Sequence, residues 1–158
     1  MSGTSHIWRP SSARVVSIGG FVPVPRGVSV PVPAVLAWPA KDPADVLDYQ
    51  FDVSAALVGN ASDAIASVAA VVTPAGGLAV DSTAVDGAVA VLWLSGGVAG
   101  TVYTVQIDVT TVSGRTVSRS VLLPVVALNV QAQATSALTT GDGQVVSDES
   151  GNPILLGS

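Results

Sequence analysis

The chain has no cysteine and only one histidine, His6, in 158 residues. The first absence excludes disulfides and thiolate metal centres, and it leaves the redox compartment open. The second excludes acid–base chemistry or a metal site built on several imidazoles, because His6 stands alone in a Pro- and Ser-rich leader. Charge is also scarce: 11% of residues are charged, with six basic against eleven acidic and a formal net charge of -5. A few scattered basic side chains make no phosphate-binding footprint, so nucleic acid is not an expected partner. No apolar run approaches the ~20 residues that span a bilayer, and the first residues lack the apolar segment of a signal peptide. The expectation is therefore a chain made and assembled in the cytoplasm, with no membrane partner.

Apolar side chains are plentiful, at 49%, but aromatics make up only 4%. The core must be built mainly of Val and Ala with a few large anchors, and β-branched side chains suit a pleated, half-buried surface. The surface is then left to Ser, Thr, Gly, Ala and Val. That is unusually neutral for a free monomer and is explained by contact with neighbouring chains.

Strand periodicity is clearest from Val102 to Thr111, where Tyr103, Val105, Ile107 and Val109 alternate with polar residues and are expected to face inward. Val112-Ser113-Gly114-Arg115 supplies a turn in which Gly114 takes positive φ, and Thr116–Val126 returns as the partner strand. Further strands are expected at Ala34–Ala37, Leu47–Val53, Ile65–Thr73, Leu78–Ser82 and Ala88–Leu94, with a short helical turn near Ala55–Val58. Short strands with this spacing predict an all-β fold, an immunoglobulin-like antiparallel β-sandwich over residues 35–127.

The ends read differently. Residues 1–34 repeat a Val-Pro pattern (Phe21-Val22-Pro23-Val24-Pro25, Val30-Pro31-Val32-Pro33) that is extended and poor at joining a sheet interior. They are expected to form an N-terminal arm, with Trp8, Ile18 and Phe21 contacting a neighbouring subunit. Residues 128–158 form a C-terminal tail in which Val145-Val146 and Ile154-Leu155-Leu156 flank a turn, a possible mini-hairpin. Ile154, Leu155 and Leu156 are the expected contact residues of that end.

No constellation supports catalysis. Asp42, Asp45, Asp48 and Asp52 lie close together, but the segment lacks the glycine and terminal Glu of a calcium loop, and Pro43, Val46, Leu47 and Phe51 intervene. Asp42 and Asp45 are better read as capping a turn around Pro43, with Asp48 and Asp52 on an exposed strand edge. Gly96-Gly97-Val98-Ala99-Gly100 has no Lys and runs into a strand, which excludes a phosphate loop. Ser95 has no base to activate it. No cofactor, metal or small-molecule substrate is expected. Trp38, Trp93 and Tyr103 can stack on a sugar, but with so few large side chains available they are expected to anchor the core. Tyr103 also matches the position near the start of an immunoglobulin strand F whose hydroxyl ties down a neighbouring loop.

Several of these residues recur in a specific order: Trp38-Pro39, Lys41-Asp42-Pro43, Asp48-Tyr49, Asp52, Trp93-Leu94-Ser95-Gly96-Gly97, Gly100, Tyr103 and Ser113-Gly114-Arg115. Over Leu36–Leu123 this order resembles the tailed-bacteriophage fibre-tail adaptor proteins; Val53, after Asp52, stands where that family is expected to carry an aromatic. The resemblance implies a non-enzymatic virion protein near the neck or upper tail, present in several symmetric copies. Its partners would be tail or head–tail connector proteins and the tail fibre. A capsid decoration protein and a carbohydrate-binding sandwich of a receptor-binding tail component are the competing readings.

Overall fold

The computed structural model describes residues 13–19, 21, 25–29, 34–59, 62–129, 140–152 and 154. The chain divides into two compact units, Met1–Leu128 and Asn129–Ser158.

The first unit is an all-β sandwich. Among the described residues its strands are β1 (Val15–Ser17), β2 (Leu36–Ala37), β3 (Leu47–Asp52), β4 (Ile65–Thr73), β5 (Leu78–Asp86), β6 (Val89–Gly96), β7 (Thr101–Thr111) and β8 (Thr116–Val125), with one helical turn, α1 (Ser54–Leu57), after β3. They form two four-stranded sheets, β1-β3-β6-β5 (sheet A) and β2-β8-β7-β4 (sheet B). Period-two burial follows from the sequence alternation. Tyr103, Val105, Ile107 and Val109 of β7 all point into the core, against Tyr49 and Phe51 of β3 and Ala90, Leu92 and Leu94 of β6. Val53 is fully buried beside them.

Local chemistry sets the connections. In the β7–β8 hairpin Gly114 has φ 81° and its N–H donates to Thr111 O at 3.0 Å. The N-terminus of α1 is held by the Asp52 carboxylate, which accepts from the Ser54 N–H at 2.8 Å. Strand β5 extends past Ser82 to Asp86, further than its alternation indicates, because a register shift between Val80 and Ser82 inserts Asp81 and reverses the parity.

The structure changes the reading at the N-terminal side. Val15–Ser17 is a strand that pairs parallel to β3, and β2 pairs parallel to β8, so the sheets are not wholly antiparallel. A parallel pair needs a long crossover, and the segment before β3 supplies one. Ile18, expected in a contact between subunits, is instead 3% exposed in this chain's own core, with its N–H donating to Asp52 O at 3.1 Å. β1 also covers the edge of β3. Asp48, expected on an exposed edge, is therefore buried, and its carboxylate accepts from Arg14 at 2.5 Å. Trp93 is corrected as well: with Ala90, Leu92 and Leu94 facing the core, parity turns Trp93 to the outer face of sheet A, where it is half-buried opposite Asp48 and Ser82.

The described residues of the second unit form local turns. Asp148 shapes one of them: its N–H donates to Asn152 O at 2.8 Å and its carboxylate accepts from the N–H groups of Ser150 and Asn152. These bonds to the Asn152 and Ser150 amides hold the Asp148 carboxyl below its ordinary value. Ile154 N–H donates to Val146 O at 2.8 Å, closing a short hairpin.

Candidate assembly surface

Of the residues singled out by order in the sequence, Trp38, Lys41, Asp42, Gly96 and Tyr103 lie towards one end of the sandwich, where their bonds tie the sheets together, and Ser113-Gly114-Arg115 lies at the other. Trp38 is 2% exposed; its backbone N–H donates to Leu122 O in sheet B at 2.9 Å, and its indole N–H donates to Gln50 O in sheet A at 3.0 Å. Its ring lies 5.1 Å from that of Tyr49, tilted by 53°. Lys41 does the same job with a charge. Its backbone bonds to Pro124 O and Val126 N–H beside β8, while its fully buried ammonium donates to Asp42 O at 2.7 Å and to Gly96 O, at the end of β6, at 2.6 Å. Burial pulls the Lys41 ammonium below its ordinary value, against the opposing pull of Asp45, Asp42 and Asp81.

The Asp42 carboxylate shapes the neighbouring turn, accepting from Ala44 N–H at 2.9 Å and Leu128 N–H at 2.7 Å, while Asp45 accepts from Asp42 N–H at 3.0 Å. The glycines beyond β6 are there for close approach. Gly96 has φ 72°, and a Cβ on it would lie 2.4 Å from Gly77 O. The Tyr103 hydroxyl closes the cluster, accepting from Val98 N–H at 3.0 Å and donating to Gly76 O at 3.3 Å, with the ring buried. At the hairpin end of β7, the Asp63 carboxylate accepts from Ser113 N–H at 3.0 Å and from the Arg115 guanidinium at 2.7 Å. Burial raises its pKa, but bonds from Ser113, Thr111 and Arg115 outweigh that and hold it below its ordinary value. All of this is scaffold. Among the described residues no group of three or more His, Cys, Asp or Glu is placed to hold a metal ion, and no helix is long and apolar enough to cross a membrane.

Among the described residues one buried hydroxyl has no protein partner: that of Tyr49, whose pKa is pushed up to about 12, chiefly by burial.

What remains is the outside of the sandwich, and its two sides differ. On one side the segment after β1 runs from sheet A towards sheet B, where Phe21 lies under the Arg119 guanidinium of β8, 5.7 Å from ring centre to cation. Phe21 is 46% exposed. Arg119 shares the inward parity of Val117 and Val121 but reaches solvent, a charge placed so as to blunt the part of β8 that β2 does not cover. On the other side β4 and β5 lie next to each other as the two remaining sheet edges. Val71 is 58% exposed and Val85 43%. Ile154 is 42% exposed in the second unit. Trp8, Leu155 and Leu156 lie outside the described residues.

Arg14, Asp63 and the burial of Lys41 escape sequence reasoning, because their partners lie far away in the chain. The uncharged run of β4 is visible in the sequence, but its place at an edge is not.

No curated protein matches the chain. A family model for the podophage GP4 fiber-tail adaptor protein gp77 matches residues 41–124, from the buried Lys41 to Pro124 in β8, and so takes in β3 to β7 and nearly all of β8. With more than half of the chain covered, including the Lys41–Gly96 tie, the Tyr103 bonds and the Asp63-braced hairpin, the protein belongs to the podophage fibre-tail adaptor family.

Proposed function

We propose that this protein is a non-enzymatic adaptor at the phage neck or upper tail that joins tail or portal-proximal proteins to tail fibres, in several symmetric copies. Membership of the family makes it a structural component of a phage tail, and the family match over β3 to β8 carries the finer reading. The geometry supports it. The conspicuous side chains, Trp38, Lys41, Asp42 and Tyr103, are spent on rigidity, and the described residues leave strand edges and apolar ends for contact. Weak contacts repeated around a symmetric assembly multiply into a stable one.

We also read the sandwich as immunoglobulin-like. The orders β3-β6-β5 and β8-β7-β4 follow the B-E-D and G-F-C arrangement of that fold, and Tyr103 occupies the tyrosine-corner position on strand F. The parallel β1 is an addition to that plan. Phe21 and Ile154, with Trp8, Leu155 and Leu156, are assigned to contacts with neighbouring virion proteins.

The test is electron microscopy of gradient-purified particles carrying gold-tagged antibody against this chain. Label at the neck or upper tail is expected. Label over the capsid would replace the adaptor with a decoration protein, and unlabelled intact particles would remove the protein from the virion.

A further inference from the structure

The two outer faces of the sandwich are not alike. On sheet B, Gln106 of β7 and Ser118 and Ser120 of β8 are exposed, as on an open face. On sheet A the matching positions are closed. Gln50 of β3 is 3% exposed and Val91 of β6, paired with it, is fully buried, although both point away from the core: Gln50 lies between the core residues Tyr49 and Phe51, and Val91 between Ala90 and Leu92. Among the described residues Val91 is the one buried apolar side chain outside the core cluster. Trp93, next along that face, is itself half-buried. The closure has a direction. Val15 of β1, opposite Gln50, is half-buried, whereas Ala84 of β5, opposite Val91, is exposed. Strand pairing covers an edge and not a face, so the cover lies over β3 and β6 and comes from the β1 side.

We propose that the outer face of sheet A at Gln50, Val91 and Trp93 is the docking site of residues 1–12 of the same chain, with Ile7 and Arg9 against the sheet. Position favours this segment. It joins β1 through a turn at Ala13–Arg14, beside Asp48 and in line with Trp93, which pairs with Asp48. The middle of β6 is two strand spacings from β1, about 10 Å, and the stretch from Arg9 or Ile7 to Ala13 spans roughly 13–20 Å when extended. Charge selects this end of the chain over the other. The face carries Asp48, Asp52 and Asp86 against the Arg14 guanidinium. Residues 1–12 hold Arg9 and His6 with no carboxylate, whereas residues 129–158 hold Asp142, Asp148 and Glu149 with no Lys or Arg.

Pattern selects the side. Pro10 holds Arg9 extended, and alternate residues of an extended segment share a side, so Ile7 and Arg9 go together. They offer an apolar group to Val91 and Trp93 and a cation to the carboxylates. Trp8 is then left facing outward, where the neighbouring virion protein assigned to it above would meet it. The docking belongs to the free chain and does not rest on the adaptor reading.

Acrylamide quenching of the full chain in a Trp8→Phe background tests this, because Trp38 is 2% exposed and Trp93 is then the indole that responds. Ile7→Asp with Arg9→Glu sets carboxylates against carboxylates and removes the apolar contact, which should shift the ratio of docked to open segment at least about tenfold. Trp93 should then be quenched more steeply, with Trp38 and the far-ultraviolet circular dichroism unchanged. Ile7→Val with Arg9→Lys should quench like the parent. Equal quenching of the parent and the acidic variant would give the cover to another segment and overturn the proposal. Quenching that steepens as the parent is diluted would also overturn it, since the cover would then come from a second copy. Particle labelling is independent of these outcomes, so either reading can fail alone.

Discussion

Two tyrosines buried in the same core should answer the same substitution in opposite ways. Tyr103→Phe removes a hydroxyl that accepts from Val98 N–H at 3.0 Å and donates to Gly76 O at 3.3 Å. Each bond is worth about 1 kcal/mol net, and the loop that carries Val98 is exposed enough for its N–H to regain water, so the loss should be about 2 kcal/mol. For a unit of this size that corresponds to a fall of about 8 °C in the melting midpoint. Tyr49→Phe removes a hydroxyl that is fully buried and has no protein partner. Deleting an unsatisfied polar group returns its desolvation cost, so stability should be unchanged or higher by up to about 1 kcal/mol. Urea unfolding followed by far-ultraviolet circular dichroism is the assay. Tryptophan emission is a poor choice, because the Trp38 ring sits 5.1 Å from Tyr49 and would respond to the substitution itself. Equal midpoints for the two variants, or a larger loss for Tyr49→Phe, would refute the hydrogen-bond assignment.

Two further perturbations probe the scaffold. Gly100→Ala, with φ 84° and open space around the added carbon, should cost only the left-handed backbone penalty of about 1–2 kcal/mol, whereas Gly96→Ala drives a Cβ to 2.4 Å from Gly77 O and should cost at least about 2 kcal/mol more. Similar midpoints in urea for the two would show that the Gly77–Gly96 contact relaxes freely. Asp63 supplies a pH signature. Its folded carboxyl lies below its ordinary value of 3.8, so its stabilisation is complete above 3.8 and is lost as pH falls through the lower folded value. The stability difference between wild type and Asp63→Asn should be constant near neutral pH and shrink in acid below 3.8; a difference that grows in acid would reverse the assignment.

Alternation in the sequence determined the sandwich, because period-two burial is local: Tyr103 to Val109 face inward for the same reason that their polar neighbours face out. The hairpin at Gly114 was legible for a similar reason, since positive φ at a turn is a property of the residue itself. The order of residues from Trp38 to Arg115 also marks the family in the sequence alone. Tertiary structure decided what depends on partners distant in the chain. Ile18 and Val15–Ser17 look like part of an arm until β3 offers an edge to pair with. Asp48 reads as exposed until Arg14 and β1 cover it, and Trp93 reads as core until the parity of β6 turns it outward. Lys41 is a surface residue by type, yet it is buried because two carbonyls brought together by the fold solvate its ammonium. The uncharged run of β4 was present in the sequence throughout, and only the strand order makes it an edge, because which strand ends a sheet is settled by pairing between residues far apart in the chain.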